Sequence, residues 1–97
     1  MITTLAAMKR KLQVGAKYRM VHKFMFTPGP VDIVYTVILA QTNHVEVTGV
    51  DRGMNFMSRF TFPTKKDIRF TEKGWVLLVQ GRPQAEYEWI EEKTHNV

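Results

Sequence analysis

The sequence predicts a mainly β domain: a strongly bent antiparallel sheet or small β-barrel, of SH3-like or OB-like size, with one short N-terminal helix. Three observations carry this expectation. Helical spacing of apolar residues is confined to the first dozen positions, period-two alternation governs the stretch that follows, and turn residues interrupt that alternation at short, regular intervals. One domain is expected over residues 1–97, with the helix at about 3–13, a β meander at about 17–91 and a frayed tail at 93–97.

The helix follows from Thr3 or Thr4 as cap and from Leu5, Met8 and Leu12, which recur on one stripe, with Gly15 ending it. A first strand is expected at about Tyr18–Phe26, where Tyr18, Met20, Phe24 and Phe26 alternate with Lys17, Arg19 and Lys23. Pro28-Gly29 suits the centre of a type II turn. The second strand, about Val31–Gln41, is rich in β-branched residues and apolar on both faces, which places it in the sheet centre or in a closed barrel.

Thr42-Asn43 reverses the chain into a third strand, Val45–Val50, and Asp51-Arg52-Gly53 into a fourth, Asn55–Phe62, stopped by Pro63. Ile68–Thr71 and Trp75–Gln80 form a hairpin across Glu72-Lys73-Gly74, with Gly74 expected in the left-handed conformation. Gly81-Arg82-Pro83 turns into a last strand, Ala85–Glu91, with Ala85, Tyr87 and Trp89 on one face.

Composition narrows the function classes. The longest apolar run, Ile33 to Ala40, is far shorter than the ~20 residues of a membrane-spanning helix. No membrane partner is expected. The opening Met1–Met8 precedes Lys9-Arg10-Lys11, the reverse of a secretory signal, and without cysteine there is neither a disulfide framework nor a thiolate metal site. The expected location is cytoplasmic.

The formal net charge of +5 is uneven: residues 1–30 hold six basic and no acidic side chains, whereas residues 84–97 hold one basic and four acidic. An anionic partner for one end of the molecule is one implication, and mutual cancellation on folding is the other.

If the aromatic side of each strand is the core, Lys17, Arg19, Lys23, Arg59 and Arg69 all project outward, and loop residues Lys65 and Lys66 join them. Such a face suits a phosphate backbone, and the first functional expectation is a non-enzymatic module contacting nucleic acid or a nucleoprotein through these seven residues. Base stacking is disfavoured, because the aromatics fall on the opposite face from the cations. The rival reading is a solvated face whose cations meet Glu46, Glu86 and Glu88 across strands.

Met25 and Met57 carry the outward parity, and methionines beside arginines suit contact with another protein. The second expectation is therefore a protein-interaction or inhibitor module using Met25, Met57 and neighbouring aromatics, with an unclosed strand edge as a further route to a partner. A homo-oligomeric structural subunit is the third. An enzyme is not expected, nor a cofactor or metal. His22, His44 and His95 lack ligand spacing, Ser58 has no nucleophile-elbow context, and Glu86, Glu88, Glu91 and Glu92 fit the polar edge of the last strand.

The segments LQVGAKYRMVH, LAQTNHVEV and FTFPTKKDI, less than a third of the chain, resemble small uncharacterised accessory proteins of bacterial phages and other mobile elements. The resemblance implies a short protein that occupies a host nucleic acid, a nucleoprotein, or a host protein or defence complex, for example as an anti-CRISPR-like inhibitor. It carries over no residue.

Overall fold

The structure, a computed structural model, describes residues 1–91. The tail expected at 93–97, together with Glu92 and His95, lies outside the described residues. Helix α1 (Leu5–Lys11) is followed by β1 (Lys17–Lys23), β2 (Gly29–Ala40), β3 (His44–Asp51), β4 (Met54–Thr61), a 3-10 turn (Lys65–Asp67), β5 (Ile68–Phe70), β6 (Gly74–Val79) and β7 (Arg82–Ile90). Every expected element is present, with ends shifted by a few residues.

All neighbouring strands are antiparallel, and they form one seven-stranded sheet in the order β4-β3-β2-β1-β7-β6-β5. The sheet does not close, so β4 and β5 are its two edges. It is nevertheless strongly curled. Phe60 on edge strand β4 reaches the rings of Trp75 on β6 (centroids 5.9 Å) and Tyr87 on β7 (6.4 Å), residues five and four strands away in sheet order.

The interior is an aromatic stack built from the alternation. Tyr18 lies on Tyr35 at 5.0 Å, Trp75 on Tyr87 at 5.0 Å, and Tyr18 meets Trp75 at 5.3 Å. Val37, Val45 and Val47 complete the inner side of β2 and β3. Fully burying each such side chain contributes about 1.5–3 kcal/mol. Burial also raises the Tyr18, Tyr35 and Tyr87 hydroxyls above the ordinary tyrosine pKa, because the phenolate would lose its hydration.

Helix α1 covers part of this interior. Thr4 Oγ1 accepts the Ala7 N–H at 3.1 Å, which caps the first turn, and Met8 and Leu12 are fully buried. Its basic triplet packs as well as projects: Lys9 Nζ sits 5.3 Å from the Phe62 centroid, Lys11 Nζ sits 5.0 Å from that of Trp89, and Lys11 pairs with Glu91.

Three local expectations need correction. β1 ends at Lys23 because Phe26 turns to φ 66°, and the reversal occupies Phe24–Pro28, so Pro28-Gly29 is not its centre. The last turn is Gln80-Gly81, with φ 52° and 78°, and Arg82 and Pro83 already belong to β7. Gly74 is not left-handed. It is a buried β6 residue over which the Tyr87 carbonyl passes, 2.0 Å from where a β-carbon would stand.

Candidate functional site

The seven cations assigned to a nucleic-acid face come from β1, β4, the 3-10 turn and β5. Lys17 and Arg19 lie side by side on the outer face of β1, the central strand. Arg59 lies on β4 and Arg69 on β5, the two edge strands of the curled sheet. Lys65 and Lys66 are exposed in the 3-10 turn that leads into β5.

Lys23 departs from the expected row. The register slips by one residue between Met20 and His22, so His22 faces Glu86 and Lys23 faces Ala85. A bulge inserts one unpaired residue, here Val21, and every side chain beyond it changes face. Lys23 therefore shares the side of Ala85 and Tyr87, while Lys17 and Arg19 point the other way.

Carboxylates stand beside the cations that do face outward. Glu88 is the cross-strand partner of Arg19, and Glu46 that of Arg59. Arg19 Nε lies 2.8 Å from Asp32 Oδ1, an ion pair by distance without hydrogen-bond alignment. The outer face is thus mixed in sign.

Of the two methionines, Met57 is on the outer side of β4 and 65% exposed. Met25 is half-buried in the β1–β2 connection, separated from β4 by β2 and β3 in sheet order. What gathers around Met57 is its own strand. All of β4 except Phe60 is exposed, and Met54 (73% exposed) and Phe56 (37%) join Met57 in an apolar run on both faces of an edge strand. Met54 was not among the expected contact residues, whereas Phe56 is one of the aromatics neighbouring Met57. Apolar residues on both parities were visible in the sequence, but that signal reads equally as a central strand.

The backbone of this edge has a defined phase. The Phe62 N–H donates to the Asn43 carbonyl at 3.0 Å. Hydrogen-bonded pairs alternate along an antiparallel ladder, so Met54, Phe56, Ser58 and Phe60 turn their amides and carbonyls toward β3. Asn55, Met57, Arg59 and Thr61 turn theirs outward, where no strand among the described residues receives them.

The two edges are unequal. β5 is three residues long, entered from Pro63 and the exposed Lys65 and Lys66, features that discourage strand addition. β4 is eight residues long, and its one charge is Arg59. Among the described residues, no helix is long and apolar enough to cross a membrane. No protein-family model, curated protein or solved structure matches the chain.

Proposed function

We propose that the protein is a non-enzymatic docking module that acts in the cytoplasm and binds a protein partner by strand addition to β4. The carrying observation is the unguarded edge: eight residues, Met54–Thr61, with Met54 and Phe56 exposed on one face and Met57 on the other, and with the outward amides and carbonyls of Asn55, Met57, Arg59 and Thr61. Main-chain pairing supplies affinity in this mode, and the flanking Met54, Phe56 and Met57 supply contact area. An inhibitor of a host protein or defence complex fits this mode, because an added strand needs no catalytic residue on either side.

The nucleic-acid reading asks for cations that share one surface. Lys23 turned to the side of Ala85 by the bulge at Val21, and carboxylates beside Arg19 and Arg59, make it the weaker reading.

The two separate in one experiment with the whole chain. Met57→Pro removes an outward N–H without touching the β3 ladder, a change edge strands tolerate. Protein capture that survives nuclease and moderate salt should be lost in Met57→Pro and kept when Lys17, Arg19 and Arg69 are changed together to glutamate. The near-ultraviolet dichroism of the Trp75–Tyr87 stack reports that each variant is folded. Binding that follows the glutamate changes and ignores Met57→Pro would reverse the assignment.

A further inference from the structure

We infer that the strand completing the β4 edge is β4 of a second copy, joined about a two-fold axis through Ser58. This rests on β4 as the docking edge and names its occupant.

The phase of the outward groups on β4 selects the register. Two copies of one strand paired antiparallel about a two-fold must match residues symmetrically about a centre, and each outward-facing residue must meet another outward-facing one. Only a few registers satisfy this. Centred on Arg59, two guanidinium groups would stand directly opposite each other, which is destabilising. Centred on Met57, Thr61 would fall against Gly53, which lies in the β3–β4 turn at φ 78°.

Centred on Ser58, Asn55 meets Thr61 and Met57 meets Arg59, each pair occurring twice. All the outward donors and acceptors of Asn55, Met57, Arg59 and Thr61 are then used, in about eight inter-chain hydrogen bonds. The inner side agrees. Ser58 faces its own copy, small enough for close approach at the axis, and Phe56 faces Phe60 of the other chain, extending the aromatic interior across the junction.

Charge points the same way. The chain carries +5, yet β4 bears only Arg59, and in this register Arg59 lies over a methionine rather than another cation. The β5 edge offers no comparable length, so pairing through β4 closes as a dimer and does not propagate as a fibre.

The test uses the absence of native cysteine. Under mild oxidation, Ser58→Cys should give a cross-linked dimer, because opposed cysteines at a non-hydrogen-bonded pair approach closely. Met57→Cys should cross-link at least tenfold more slowly, since in this register position 57 faces position 59. Light scattering of the native chain over a concentration series should move from 11.3 kDa toward twice that mass, and Met57→Pro should hold it at the monomer.

A native chain monomeric up to millimolar concentration would overturn the inference. So would equal cross-linking at positions 57 and 58. If the chain is monomeric but Met57→Pro still abolishes capture of a protein partner, the β4 edge stands as the docking site with a different occupant. If Met57→Pro changes neither dimerisation nor capture, both proposals fall.

Discussion

The ring of Phe56 on β4 lies over Gly49 on β3, so close that a β-carbon at Gly49 would stand 2.2 Å from the ring's Cζ. Tyr35 meets the same ring edge-on at 5.9 Å. The missing side chain on the inner strand thus seats an aromatic of the edge strand, and this contact orients the apolar residue next to Met57.

Gly49 and Gly74 both lack room for a methyl group, yet alanine should cost different amounts at the two positions. At Gly49 the obstacle is the half-exposed ring of Phe56, which swings into solvent. A loss of about 1 kcal/mol is expected. At Gly74 the obstacle is the Tyr87 main chain, which is fixed in the β6–β7 ladder, and the loss should approach about 3 kcal/mol, the upper end of ordinary overpacking. Urea unfolding midpoints of Gly49→Ala and Gly74→Ala measure the difference. Equal shifts would contradict it.

Stability should fall on the alkaline side. Tyr18, Tyr35 and Tyr87 have folded-state pKa values raised above the ordinary value by burial, whereas in the unfolded chain they ionise near pH 10. Below that pH both states hold the protons and nothing is lost. Above it the unfolded chain releases protons that the folded chain keeps, so each tyrosine removes about 1.4 kcal/mol per pH unit until its folded-state hydroxyl also ionises. Melting temperature against pH should be level approaching pH 10 and drop beyond it, with the tyrosinate absorbance of these rings appearing together with unfolding.

Trp75 is fully buried, and its Nε1–H has no hydrogen-bond partner among the described residues. Trp75→Phe removes the unpaired donor and keeps a ring against Tyr87, so the lost area is offset and the net cost should stay below about 1.5 kcal/mol. Trp75→Ala leaves a cavity beside Tyr18, Phe60 and Tyr87 and should cost about 3–5 kcal/mol. Thermal unfolding of the two variants tests whether that indole is held by packing alone.

Much of the candidate site was legible in part. Met57 and Arg59 were expected on an outward face, and that is where β4 carries them. An open strand edge was also foreseen as a route to a partner. Its identity was not, because Met54, Phe56 and Met57 have the same pattern on an edge strand as on a strand paired on both sides. Lys23 was misplaced for a different reason. Alternation propagates only while pairing continues, and the bulge at Val21 is set by how β1 meets β2 and β7 together.

Two-residue periodicity, acting over a few bonds, writes the strands into the sequence but does not reach their reversals, which fall at Phe24–Pro28, with Phe24 and Phe26 exposed, and at Gln80-Gly81. The same alternation puts Tyr18 on the aromatic side of β1 and Ala85, Tyr87 and Trp89 together on one face of β7 without any knowledge of their neighbours; that Trp75 is fully buried against Tyr18 and Tyr87 comes from the packing. Only the tertiary structure decided that β1 takes β7 as its second partner, setting Lys17 opposite Ile90, and thereby left β4 at the rim with four outward backbone pairs unmet. Strand order follows from which distant surfaces bury most apolar area together, a balance struck over the whole chain that no short stretch of it contains.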